Sequence, residues 1–70
     1  MTRDMLRETL QTTNHFLRIR DNAPFTIVRV YANDNYEFLV EYSKFDLDFK
    51  PGRKRTIDLV TFCRKYMPWK

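Results

Sequence analysis

Between Thr2 and about Ile19, Leu6, Leu10 and Leu17 recur at helical spacing with Thr13 between them, and Met5 and Phe16 flank the stripe. The spacing predicts an amphipathic first helix, with Thr2 as its N-cap and Asp4 in the first turn, where a negative charge suits the helix dipole. Asp21-Asn22-Ala23-Pro24 combines turn formers with a proline that restrains the residue before it, so the helix is expected to be over by there. Phe25 to Ala32 is rich in β-branched residues. Tyr36, Phe38, Val40 and Tyr42 alternate with Glu37, Leu39 and Glu41, the period of a strand with one buried face. Asn33-Asp34-Asn35 tolerates left-handed backbone and is expected to join the two strands as a three-residue hairpin turn. That register sets Val28 and Val30 against the aromatic face and points Arg29 outward between Glu37 and Glu41; a two-residue turn would bury Arg29.

Phe45, Leu47 and Phe49 alternate with Asp46, Asp48 and Lys50 and read as a third strand, stopped by Pro51-Gly52. Thr56 is then the candidate N-cap of a second helix carrying Ile57, Leu59, Val60, Phe62, Cys63, Tyr66 and Met67, and Pro68 ends it. The expected fold is α+β, one small domain of order α-β-β-β-α, with a three-stranded antiparallel meander covered on one face by two helices. Leu6, Leu10, Leu17, Val28, Val30, Phe38, Val40, Leu47, Phe49, Ile57, Val60 and Cys63 are its expected core.

Length sharpens this picture, because 70 residues hold a single domain, spanning 1–70, and one cysteine cannot form an internal disulfide. Such a domain rests on its apolar core alone, which accounts for the 16% aromatic content and leaves little room for a buried small-molecule site. No apolar run approaches the ~18 to 20 residues of a membrane span, and charges fill the region where a signal peptide is apolar. The expected protein is cytoplasmic, with no membrane partner.

Charge is sorted along the chain: residues 1–20 carry a net +2, residues 21–48 a net −4 and residues 49–70 a net +6, for a total of +4. A basic helical side and an acidic open sheet face are expected, an arrangement that lets one side meet phosphates while the other points away. Lys50, Arg53, Lys54 and Arg55 form the densest cationic cluster, placed by this reading just before a helix N-terminus. Arg3, Arg7, Asn14 and Arg18 fall on one ridge of the first helix, a second candidate contact for a phosphate backbone. The same cations also fit ordinary solvated surfaces.

Leu6-Arg7-Glu8-Thr9-Leu10-Gln11 resembles the first-helix pattern of the double-stranded RNA-binding domain family, and Arg53-Lys54-Arg55 stands where that family has its lysine cluster. The resemblance implies a helix, three antiparallel strands and a helix, binding RNA. Asn33-Asp34-Asn35 departs from the family's glycine-proline-histidine type loop, and Phe62 and Tyr66 stand where it has small alanines.

Catalytic chemistry has little to work with. His15 is the only histidine, expected on the polar side of the first helix, and Cys63 is expected in the core as a small apolar residue. One Cys and one His cannot supply the four ligands of a zinc site, and Glu37, Glu41, Asp46 and Asp48 read as the polar side of a sheet. No enzyme activity, cofactor or metal is expected. The sequence-based expectation is a non-enzymatic module contacting nucleic acid. The alternative is a protein-binding regulator or inhibitor of a nucleic-acid-processing enzyme, of the anti-restriction or anti-CRISPR kind found in phages and mobile elements. It would use Tyr31, Glu37, Leu39 and Glu41 on the open sheet face, or Tyr66 and Trp69 as aromatic anchors.

Overall fold

The computed structural model describes residues 1–45 and 53–69. The elements, in order, are α1 (Arg3–Thr9), β1 (His15–Arg18), β2 (Pro24–Ala32), β3 (Phe38–Lys44), β4 (Lys54–Asp58), α2 (Leu59–Lys65) and β5 (Tyr66–Pro68). Two helices and a five-stranded antiparallel sheet of order β4-β3-β2-β1-β5 make an α+β domain. Among the described residues the strands number five rather than the three expected, and β5 follows the last helix, which departs from the order of the double-stranded RNA-binding domain.

The first correction lies in the N-terminal third. Thr2 caps α1 as expected, accepting from the Met5 N–H at 3.2 Å, but the helix ends at Thr9 instead of Ile19. Its end is set by hydroxyl side chains that compete for backbone partners. The Thr9 carbonyl accepts from the Thr12 N–H, the Thr13 N–H and the Thr12 hydroxyl, and the Thr13 hydroxyl accepts from the His15 N–H. Beyond that knot the chain is extended, and Phe16, buried completely, points inward from β1.

The β2–β3 hairpin forms, with a loop of residues 33–37 in place of the expected three. Ala32 pairs with Phe38 and Val30 with Val40. Asn33 Oδ1 accepts from the N–H groups of Asn35 and Glu37, both at 3.0 Å, and Tyr36 takes a left-handed φ of 61°, which lifts it off the sheet into solvent. A β-bulge between Ile27 and Arg29 leaves Val28 unpaired, so β2 changes which parity faces inward. Phe25 and Ile27 are buried on one side of the bulge, while Val28 is 45% exposed. Arg29 still points outward, as expected.

Residues 54–58, expected in part as the start of a helix, form the edge strand β4, where Thr56 pairs with Glu41. The N-cap of α2 is Asp58, whose carboxylate accepts from the Thr61 N–H at 2.9 Å and the Thr61 hydroxyl at 2.7 Å. Pro68, expected as a helix stop, sits in the edge strand β5, the one place in a sheet where a missing N–H costs little. The expected third strand, with Leu47 and Phe49, lies outside the described residues.

Both helices pack on the same face. Leu6, Leu59, Phe62 and Cys63 close over Phe16, Phe25, Ile27, Val40, Tyr42 and Tyr66, with Leu10 and Ile57 at the margin. Of the expected core, Leu17 is half-buried, while Val28, Val30, Phe38 and Val60 are exposed. The bulge removes Val28 from the core, and Val60 lies on the outer side of α2, whose Leu59, Phe62 and Cys63 face the sheet. Tyr42 and Tyr66 are three strands apart in the sheet yet their rings meet at 5.4 Å, so the sheet curls strongly around its aromatic core.

Candidate nucleic-acid interface

The curl of the sheet brings β4 close to β5 and to the β1–β2 turn, and cations from all these segments meet there. Arg18 and Arg20 come from the end of β1 and its turn, Arg55 from β4, and Arg64 and Lys65 from the last turn of α2. They line one hollow of about 480 Å³, and among the described residues no carboxylate lines it. Tyr42 and Tyr66 border it below.

Each cation is held for a local reason. Asn22, with φ of 56°, closes a tight turn in which the Asn22 N–H bonds the Arg18 carbonyl at 2.7 Å. The turn brings Asp21 under Arg18, and its carboxylate accepts from Arg18 Nε at 2.9 Å and Nη2 at 2.6 Å. This bidentate bond raises the pKa of the Arg18 guanidinium and holds the Asp21 carboxyl well below the usual carboxylate range. The guanidinium also lies 5.2 Å from the centre of the Phe25 ring. Arg55 pairs with Tyr42 across β3 and β4, which fixes its side chain on the helix-bearing side. Arg64 and Lys65 offset the negative end of the α2 dipole.

Tyr66 is nearly buried, and burial pushes its phenol up to about 12, with a hydrogen bond to Tyr42 adding to the rise and Arg18 and Arg55 opposing it. It is therefore neutral at physiological pH and belongs to the core, not to an exposed anchor cluster.

The other sequence-derived candidates are scattered. The ridge along the first helix does not exist: Arg3 and Arg7 lie on α1, Arg18 on β1 and Asn14 between them. Arg3 stacks over Phe38 at 4.6 Å, and with Arg7 it borders a separate apolar hollow beside α1. Arg53, Lys54 and Arg55 stand on or beside β4 and not at a helix start, and Lys50 lies outside the described residues. Because strand residues alternate faces, Lys54 points away from the groove that Arg55 enters, and its Nζ is 3.8 Å from Glu41 Oε1.

Of the acidic open sheet face expected, the described residues show Glu41 paired with cations. Glu41 sits between Lys54 and Arg29, whose Nε donates to it at 2.7 Å, and that bond raises the Arg29 pKa. Tyr31 lies beneath the Arg29 guanidinium at 4.3 Å, Leu39 is half-buried opposite it, and Glu37 belongs to the loop beside Asn33. Asp46 and Asp48 lie outside the described residues. His15, on β1 and not on a helix, contacts Thr26 Oγ1 through Nδ1 at 3.2 Å and meets Phe45 and Trp69 edge-on. Cys63 is buried, as expected, and burial pushes its thiol up.

The residues missed by sequence reasoning are Arg20, Arg64 and Lys65. The pairs Arg18-x-Arg20 and Arg64-Lys65 are visible as charge, but only the pairing of β1 with β5 makes them neighbours. No protein-family model matches the chain, and neither curated proteins nor solved structures yield a match. Among the described residues, no helix is long and apolar enough to cross a membrane.

Proposed function

We propose that this chain is a small non-enzymatic binding module that contacts nucleic-acid phosphates through the groove between β4, α2 and the β1–β2 turn. The observation that carries the reading is the meeting of Arg18, Arg20, Arg55, Arg64 and Lys65 around one hollow that no carboxylate lines among the described residues. A concave surface of one sign, with low-dielectric walls, focuses its field and raises the local concentration of an opposite polyion. Among the described residues only Arg18 is ion-paired to a carboxylate there; Asp21 also acts on Arg20 and Asp58 on Lys65 at longer range, and these cations keep their donors for phosphates. The cytoplasmic location expected from the sequence fits this role.

The test is a titration of short DNA and RNA duplexes and single strands at several salt concentrations, with the parent and the Arg55→Ala/Arg64→Ala/Lys65→Ala variant. Each phosphate contact contributes about −0.9 to the slope of log K against log salt on duplex DNA and about −0.7 on single strands. Loss of the contacts these three cations make therefore flattens the slope, by about 0.9 for each phosphate released on duplex DNA. If the parent binds no nucleic acid more tightly than about 100 μM at low salt, where even non-specific binders reach the micromolar range, the reading is abandoned for that of a protein-binding regulator.

A further inference from the structure

We infer, building on the nucleic-acid reading, that the groove captures the terminal phosphate of a nucleic-acid strand and not a run of backbone phosphates. Backbone tracking needs cations in a row, since a strand presents one charge every ~3.4 Å along its axis. No such row exists among the described residues. The helical ridge is broken into α1 and β1, and along β4 the alternation of faces sends Lys54 to one side and Arg55 to the other. The cations that do come together line one hollow, reached from the end of β1 and its turn, from β4 and from α2.

Convergence suits a compact, highly charged group. A phosphate monoester carries about −1.5 to −2 charge at neutral pH and three acceptor oxygens, more than the single charge of a backbone diester. Arg18 is already oriented, because Asp21 holds its Nε and Nη2 and Phe25 lies against its plane, so less side-chain freedom is lost when an anion binds beside it. The hollow of about 480 Å³ is of a size to take one nucleotide, and Ile19 and Ile57 in its wall give apolar contact for a sugar or base that inorganic phosphate lacks. Charge and shape together describe a strand end.

The experiment measures binding of a labelled ten-nucleotide single strand made with a 5′-phosphate, with a 3′-phosphate or with hydroxyls at both ends. One phosphate-ended form is expected to bind at least about tenfold tighter than the hydroxyl-ended form, the equivalent of ~1.4 kcal/mol. A nucleoside monophosphate is expected to compete for that extra affinity better than inorganic phosphate does. Arg55→Ala and Arg64→Ala should each erase the end preference. Arg3→Ala/Arg7→Ala, which removes the same kind of charge from residues that do not line the groove, should leave it. Equal binding of all three strands overturns end capture while the nucleic-acid reading stands, and no binding of any strand overturns both. Competition by inorganic phosphate as strong as that by the nucleotide overturns the assignment of the groove to a strand end.

Discussion

Tyr66 carries its phenol into the core, where Phe62 stacks on it at 4.5 Å with ring planes 7° apart. An unfolded tyrosine titrates near pH 10, whereas this one is raised to about 12, so the folded state holds the proton more tightly. Its contribution to stability is complete below about pH 10 and is lost as pH rises through the folded value. Alkaline unfolding of the parent and Tyr66→Phe, followed by circular dichroism, checks this: the parent loses stability across that window and the variant loses much less. Matching curves would show that another group governs the alkaline limit. At the acid end the sign reverses. Bonds from the Thr61 hydroxyl and N–H hold the Asp58 carboxyl below its usual range, so the cap is intact above about pH 4 and fails as pH falls below it. Asp58→Ala should lower the melting temperature at pH 7, and Asp58→Asn, which keeps an accepting oxygen without the titration, should recover part of the loss and flatten the acid dependence. A melting temperature unchanged in Asp58→Ala would show that the cap is idle.

The bulge in β2 makes adjacent valine-like positions unequal. Ile27 is buried, and Ile27→Ala should cost about 2–5 kcal/mol in urea unfolding. Val28, 45% exposed and outside the ladder, should change stability by no more than about 0.5 kcal/mol on the same truncation. Similar losses at both positions would place the bulge elsewhere. The β2–β3 hairpin was legible in the sequence because alternation and turn residues agree. The extra residue was not, since a run of apolar residues from Ile27 to Val30 hides a change of parity. β1 was obscured because Leu6, Leu10 and Leu17 also fit a helix, and the decisive information lay in hydroxyl side chains that end α1. β4 was masked by its composition: Lys54, Arg55 and Thr56 are all exposed, and only Ile57 is drawn inward. Such an edge reads as a loop, although cations on an edge strand discourage pairing with other chains.

Over the whole molecule, the net charge of +4 is concentrated where the sheet edges approach each other. The cationic character of residues 49–70 was readable as a sum, but its focus was not, because the groove joins residues near position 20 to residues near 55 and 65. Unliganded, Arg20, Arg55, Arg64 and Lys65 repel one another across a hollow that, among the described residues, no carboxylate lines. Raising the salt from low ionic strength to about 0.5 M shortens the screening length to a few ångströms and should raise the melting temperature. Arg64→Gln should show a higher melting temperature at low salt and a smaller rise. A fall with salt in the parent would mean that its ion pairs, such as Arg18–Asp21 and Arg29–Glu41, outweigh the crowding.

The pairing of Phe16 with Pro68 sets the order in which this chain can assemble. The hairpin of β2 and β3 closes over a short loop, but the seam between β1 and β5 joins residues separated by most of the sequence, and loop entropy must be overcome before that contact stabilises anything. Folding is therefore expected to end at this seam, with the groove as the last part of the surface to exist. Trp69, the single tryptophan, lies just past the seam against His15 and Phe45, and its fluorescence is a built-in reporter of closure. In stopped-flow refolding its signal should complete with the slowest protein phase, and a tryptophan signal that settles ahead of the far-ultraviolet circular dichroism would reverse the order.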